Sequence, residues 1–137
     1  MQSSGGAAKL NVDLNMPVLI IDDHLEMLQI VRNLLKQLGL KNVDQSLGGQ
    51  TAIEMLHRNK YDLVIADENI AQMGGMDMIV KSLADHSFID TPFLLMMGQG
   101  KFPEETDPPT ARLCAYIQTP FNVAVLKRKL ITLVGNF

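Results

Sequence analysis

Three aspartates follow two apolar runs of the chain, and their placement could build a binding site for a cation. Asp22 and Asp23 come directly after the apolar run 16–21, and Asp67 comes directly after the run 61–66. Carboxylates packed together repel each other and raise one another's pKa values. Their oxygens are the ligands that hard divalent cations prefer. Taken singly, each acid has a plainer role, since Asp23 could cap a following helix and Asp67 could simply end a strand.

The runs that carry these acids have the length of buried strands, and the segments between them have the period of helices. Continuous apolar stretches predict strands, and apolar residues at three- and four-residue steps predict amphipathic helices. The predicted strands cover residues 16–21, 41–46, 61–66, 91–97 and 113–117. The predicted helices run from Leu25 to a stop at Gly39, over 51–59, onward from Gly74–Gly75, and onward from Pro120.

This alternation predicts an α/β fold in which helices cover both faces of a parallel sheet. For five strands we expect the flavodoxin-like, doubly wound order 2-1-3-4-5. A fourth helix is due between the last two strands, but residues 98–112 contain Pro103, Pro108 and Pro109. Because an interior proline costs a helix about 3 kcal/mol, we expect this helix to be shortened or disrupted.

Composition limits the class of protein. The chain has 137 residues, 47% of them hydrophobic and 20% charged, with a formal net charge of −3 and one cysteine. We expect one domain over residues 16–137 after a flexible tail over residues 1–15. The absence of a basic block argues against direct nucleic-acid binding, and no apolar run reaches the ~18 residues of a membrane span. With no secretory signal and no possible internal disulfide, the cytoplasm is the expected location, and Cys114 is interpreted as a structural thiol.

In the predicted sheet the first and third strands are neighbours, and ligands bind in the crevice at their carboxyl ends. Asp22, Asp23 and Asp67 should therefore converge there, and Mg²⁺ is the most plausible cation for them. His24 follows the acidic pair and could approach the metal, although an ordinary surface histidine at the start of a helix is the simpler interpretation.

The stretches LIIDDH and LVIADEN, the Gly48–Gly49 turn before a helix, and the terminal TPF (residues 119–121) followed by a helix resemble those of response-regulator receiver domains. The stretch IVRNLLKQLGLKNV is similar to the first helix and second strand of CheY-type receivers, and the likeness extends over residues 16–137.

The resemblance implies a two-component phosphorelay protein. By analogy, Asp67 accepts a phosphoryl group from a histidine kinase or phosphotransfer protein. Asp23 ligates Mg²⁺ directly, Asp22 helps through water, and Asn69 contributes a backbone carbonyl. Tyr116 falls at the aromatic switch position, and the Thr119–Pro120 bond is expected to be cis. The chain would catalyse at most its own phosphorylation and dephosphorylation, would act on a downstream protein target, and could form a homodimer.

Two positions depart from the family pattern. Met97 stands where a Ser or Thr hydroxyl contacts the phosphoryl group, and Thr119 stands where a lysine offsets its charge. Hydrogen bonds to charged groups contribute roughly 1.5–3 kcal/mol each, so the phosphorylated state should be weakened. A phosphorylation-independent pseudo-receiver, acting as an interaction or dimerisation module, is therefore the alternative. A Mg²⁺-dependent phosphohydrolase fits less well, because Asn69 occupies the position of a second general acid.

Overall fold

Five strands form one parallel sheet in the computed structural model, which describes residues 12–68, 91–98 and 114–136. The strand order is β2-β1-β3-β4-β5, which confirms the predicted flavodoxin-like, doubly wound fold. The elements in chain order are β1 (Val18–Ile21), α1 (Leu25–Gln37), β2 (Val43–Ser46), α2 (Gly49–Arg58), β3 (Leu63–Asp67), β4 (Phe93–Met97), β5 (Cys114–Gln118) and α3 (Val123–Val134).

The central strands are buried on both faces, which explains their unbroken apolar sequences. Successive side chains of a strand point to opposite faces of the sheet. In β1, Val18 and Ile20 therefore join a core beneath α1 and α3, whereas Leu19 and Ile21 join a second core beneath α2. All four side chains of this strand are fully buried. Among the described residues, helices therefore pack on both faces of β1.

The observed boundaries of several strands and helices differ from the predicted ones. The strand β3 continues through Asp67 instead of ending before it, and α2 begins at Gly49, two residues early. The prediction that the last helix begins at Pro120 is wrong, because α3 begins at Val123. Asn122 is its capping residue, with extended backbone and a side-chain oxygen that accepts a hydrogen bond from the Val125 N–H at 2.9 Å.

Some predictions concern residues outside the described ranges. These are the helix that follows Gly74–Gly75, residues 99–112 of the disrupted fourth helix, and residues 1–11 of the predicted tail over residues 1–15. Within the predicted tail, the Val12 N–H donates to the Asn136 carbonyl at 2.7 Å, and the Asn15 carbonyl accepts a hydrogen bond from the Asn42 side chain at 3.0 Å, so both residues contact the folded body. The domain boundary at residue 16 stays a prediction. Across the described ranges, no helix combines the length and the apolar character of a membrane span.

The C-terminus of α1 closes with a Schellman motif around Gly39, as the expected stop at this glycine requires. The Leu40 N–H donates to the Leu35 carbonyl and the Gly39 N–H donates to the Lys36 carbonyl, both at 2.9 Å. These two bonds satisfy carbonyls that the helix end leaves without partners. Gly39 has a φ of +93°, a conformation that costs other L-residues roughly 1–2 kcal/mol.

We therefore expect Gly39→Ala to lower the free energy of unfolding by about 1–2 kcal/mol. Gly39→Asn should lower it less, because asparagine adopts positive φ more readily. Both variants place a Cβ equally close to Leu14, whose Cδ1 lies 3.3 Å from the position that such an atom would take. Their difference, measured by urea unfolding, thus isolates backbone strain. Equal losses in the two variants would contradict this account.

Candidate functional site

The parallel register places Asp22 beside Asp67. Ile21, the last residue of β1, pairs with Ala66 of β3, so the residues that follow this pair, Asp22 and Asp67, lie at the same end of the two strands. Asp67 is the final residue of β3, and Asp22 follows β1 directly. One ligand atom from each of Asp22, Asp23, His24 and Asp67 lies within 4.8 Å of the others. The convergence of acids that the sequence predicts at this crevice is therefore present.

Asp22 is the buried member of the cluster. Only 1% of its surface is exposed, and its backbone N–H donates to the Ser46 carbonyl at 3.1 Å, which extends the β1–β2 pairing by one residue. Burial raises the pKa of its carboxyl above the ordinary value, and the charge of Asp67 raises it further, whereas hydrogen bonds from His24 lower it. Such a carboxylate favours the arrival of a positive charge.

His24 turns its imidazole toward both acids of the pair. Its Nδ1 lies 3.0 Å from Oδ1 of Asp22 and 3.0 Å from Oδ1 of Asp23, and its backbone N–H donates to Asp22 Oδ1 at 2.8 Å. The hydrogen bond with Asp22 raises the pKa of the imidazole, and the charges of Asp23 and Asp22 add to the effect. The side chain is 68% exposed, so His24 is a surface residue, as the simpler interpretation had it. It nevertheless belongs to the acidic cluster.

His24 also occupies the N-cap position of α1, and its side chain makes no capping hydrogen bond there. Asp23 thus does not stand at the capping position, and the plainer role considered for it is wrong. The turn into α1 is held instead by Asp22, whose side chain accepts the N–H of the residue two positions on, in the manner of an Asx turn. The two acids of the pair therefore differ: Asp22 is buried and shapes the loop, whereas Asp23 is partly exposed.

The cluster opens into a cleft of about 540 Å³. Two lining residues for which the sequence pattern predicts no role, Glu26 and Glu68, add carboxylates to its wall, and their closeness in sequence to Asp22 and Asp67 is the signal that could have found them. An apolar wall faces them. The cleft is lined by Asp22, His24, Glu26, Met27, Ile30, Asp67, Glu68, Met96, Met97, Gly98 and Thr119. Among these described residues, His24 alone can carry a positive charge.

Met97 and Thr119, the two positions that depart from the family pattern, meet at the far side of this cleft. The Thr119 N–H donates to the Met97 carbonyl at 2.8 Å, and the Thr119 hydroxyl donates to the same oxygen at 3.3 Å. Met97 ends β4 and is 8% exposed. The Thr119 hydroxyl is therefore engaged with the backbone, and the Met97 side chain offers no hydrogen-bond donor. The expected cis bond between Thr119 and Pro120 is present.

The remaining predicted site residues lie elsewhere or outside the described ranges. Tyr116 is in β5 opposite Leu95, partly buried against the core beneath α2, and does not line the cleft. Its switch role stays a prediction. Asn69, the expected source of a backbone carbonyl for the metal, falls outside the described residues.

This arrangement can be compared with known proteins. Residues 18–131 match the family model of the response regulator receiver domain. The chain belongs to the response regulator receiver domain family. Its class of function is two-component signalling.

Similar proteins include chemotaxis regulators. The receiver domain is 36% identical to Chemotaxis protein CheY-3 of Vibrio cholerae over 116 residues, covering 85% of this chain and 89% of that protein. It is 33% identical to Chemotaxis protein CheY of Pseudomonas aeruginosa over 115 residues, covering 84% of this chain and 93% of that protein.

Solved structures of similar fold include CheY4 of Vibrio cholerae, with a TM-score of 0.77, 22% identity, and coverage of 88% of this chain and 99% of that one. Another is the receiver domain of a sensor histidine kinase from Pseudomonas aeruginosa PAO1, with a TM-score of 0.75, 19% identity, and coverage of 87% and 97%. That structure has a magnesium ion coordinated in its active site cleft.

Cys114 of the receiver domain begins β5, outside the acidic cleft. The pKa of its thiol is raised to about 11, mainly by burial, while a hydrogen bond with Tyr116 lowers the pKa. Since the thiolate is the reactive form, a raised pKa makes the side chain a poor nucleophile. This agrees with the interpretation of Cys114 as a structural thiol.

We expect native Cys114 to react with iodoacetamide at pH 8 about 100-fold more slowly than in the urea-unfolded chain, because a pKa near 11 instead of 9.0 lowers the thiolate population by that factor. The native rate should rise about tenfold per pH unit until the pH approaches the folded pKa. Mass spectrometry follows the reaction, and the chain's single cysteine makes the label specific. A native rate within tenfold of the unfolded one would be inconsistent with a raised pKa.

Proposed function

We propose that Asp67 accepts a phosphoryl group from a histidine kinase or phosphotransfer protein in the presence of Mg²⁺. The observation that carries this proposal is the convergence of Asp22, Asp23 and Asp67 at the carboxyl ends of β1 and β3. Three carboxylates in so small a space are destabilising unless a cation joins them. Asp67 is the member placed at a strand end within an open cleft, where a phosphodonor can reach it.

The donor set fits the proposed metal. Carboxylate oxygens are hard ligands, and Mg²⁺ typically takes one or two of them while retaining several waters. Asp23 and Asp67 would bind the ion directly, Asp22 would contact a metal-bound water, and Asn69 would supply its backbone carbonyl. When bound, the ion offsets the charge of the transferring group. The magnesium-containing receiver of similar fold lends support by analogy.

The transfer itself asks little covalent chemistry of the chain. A carboxylate oxygen of Asp67 attacks phosphorus, and the phosphorus–nitrogen bond of the donor phosphohistidine breaks. The electron pair of that bond returns to the imidazole nitrogen of the donor, and the product is an aspartyl phosphate. What this chain contributes is position: Asp67 is held by the β3–β4 pairing, in which it lies opposite Met96.

The cleft wall beyond Asp67 gives a second candidate function specific support. Met97 supplies no donor for a phosphoryl oxygen, and the Thr119 hydroxyl is turned to the Met97 carbonyl. Such a wall would stabilise the phosphorylated state poorly and transmit it weakly. A pseudo-receiver that binds a downstream protein or a second copy of itself without phosphorylation would have this wall, but it would have no need for the intact acidic cluster. We place both functions in the cytoplasm, with no direct nucleic-acid contact.

Incubation with acetyl phosphate and Mg²⁺ should add about 80 Da to the intact chain, the mass of one phosphoryl group. Asp67→Asn should abolish the adduct, because an amide cannot form the acyl phosphate. Asp62→Asn is the matched control, since Asp62 is exposed just before β3, away from the cleft. Intact-mass spectrometry reads all three proteins. An adduct that survives Asp67→Asn would exclude phosphorylation at this residue, and so would the lack of any adduct in the unmodified chain under donor excess. If the unmodified chain forms no adduct and also binds no Mg²⁺, the pseudo-receiver is favoured.

Met97→Thr combined with Thr119→Lys should raise the phosphorylated fraction at limiting donor by at least about tenfold, since even one added hydrogen bond to a charged group contributes roughly 1.5–3 kcal/mol and about 1.4 kcal/mol is a factor of ten. The pair introduces a hydroxyl at position 97, where methionine has no donor, and a cation at position 119, where threonine has no charge. Thr132→Lys alone controls for added charge, because Thr132 is exposed on α3 and both Met97 and Thr119 are left unchanged. A double variant that phosphorylates no better than this control would show that the altered wall does not limit the reaction.

A further inference from the structure

The imidazole of His24 has the position of a metal ligand within the acidic cluster. Its Nδ1 is 3.0 Å from Oδ1 of Asp22 and 3.0 Å from Oδ1 of Asp23. One nitrogen of this ring lies within 4.8 Å of a carboxylate oxygen of Asp67. The side chain thus faces the three carboxylates directly, with the cleft open beside them.

These separations correspond to the edges of a coordination polyhedron. Metal–ligand distances of about 2.0–2.2 Å place neighbouring ligands of an octahedral ion about 3 Å apart and opposite ligands about 4.2 Å apart. The two short distances from Nδ1 therefore match adjacent ligands of one ion. Because the four ligand atoms all lie within 4.8 Å of one another, their side chains need to move little to bind the same ion.

The backbone holds the imidazole near this position. The His24 N–H donates to Asp22 Oδ1 at 2.8 Å, and the His24 carbonyl accepts hydrogen bonds from Met27 and Leu28 at the start of α1. Because the residue is fixed on one side by a buried aspartate and on the other by a helix, its side chain needs only rotamer adjustment to reach an ion between the acids.

Imidazole changes which cation such a site prefers. Carboxylates and water suit Mg²⁺, whereas imidazole nitrogen suits Ni²⁺, Zn²⁺, Cu²⁺ and Fe²⁺, and divalent affinity rises from Mn²⁺ to Cu²⁺ at mixed sites. We propose that His24 Nδ1 is a further metal ligand of the acidic cluster and makes the site select a borderline transition-metal ion, such as Ni²⁺, over Mg²⁺. This inference rests on the proposed function in one respect, that a cation binds at this cluster.

Titration calorimetry of the full chain with Ni²⁺ and with Mg²⁺ tests the proposal. We expect the unmodified chain to bind Ni²⁺ more tightly than Mg²⁺. His24→Gln should weaken Ni²⁺ binding about tenfold or more, as expected for losing a nitrogen ligand, and change Mg²⁺ binding less than twofold. His57→Gln is the matched control, since His57 is an exposed histidine on α2 outside the cluster, and it should change neither affinity.

A spectroscopic measurement on the unmodified chain keeps the test independent of any folding defect in the variants. With Co²⁺ bound, the ring protons of His24 should show large paramagnetic NMR shifts, which a histidine that only pairs with the acids would not show to the same extent. Unchanged Ni²⁺ affinity in His24→Gln with normal Mg²⁺ binding would overturn this inference alone. Ni²⁺ binding through His24 without any Mg²⁺ binding would support it and exclude Mg²⁺ from the proposed function. Binding of neither ion would overturn both.

Discussion

Repulsion among the carboxylates at the ends of β1 and β3 is the constraint on which the site depends. The pairing of Ile21 with Ala66 leaves little freedom to separate Asp22 from Asp67, because both paired residues are fully buried in the sheet. The cluster must therefore be relieved by positive charge. In the described part of the chain, the group that meets it is the His24 imidazole, and in the proposed function it is a divalent cation.

The sheet tolerates this concentration of charge because its two cores are extensive. Each central strand contributes side chains to both, so the backbone at the carboxyl ends of β1 and β3 is held from the face of α1 and α3 and from the face of α2. Packing of the two cores thus offsets the unfavourable repulsion among the carboxylates, as is common where binding or catalysis needs charges close together. The same rigidity keeps Asp22 in its buried position, and this burial raises the pKa of its carboxyl.

The two sides of the cleft have different chemistry, and this bears on how the receiver signals. The β1–β3 side is rich in carboxylates, whereas the far side presents Met97 and a Thr119 hydroxyl already bound to backbone. In the proposed function, phosphoryl acceptance would depend on the first side and transmission on the second. A receiver with one side intact and the other altered would couple metal binding and phosphorylation to its output less tightly than a receiver that has both.

Sequence pattern alone determined the strands, the sheet order and the convergence of the three aspartates, because fully buried strands read as unbroken apolar runs with acids directly at their ends. It placed the start of α3 wrongly at Pro120, because proline at the first helical position and asparagine at the N-cap are competing start signals, and the hydrogen bond from the Val125 N–H to Asn122 shows that the asparagine is the cap. Only the tertiary structure decided which side chains complete the site. The approach of His24 to both acids and the turn of the Thr119 hydroxyl to the Met97 carbonyl are side-chain directions set by packing, which local periodicity does not encode.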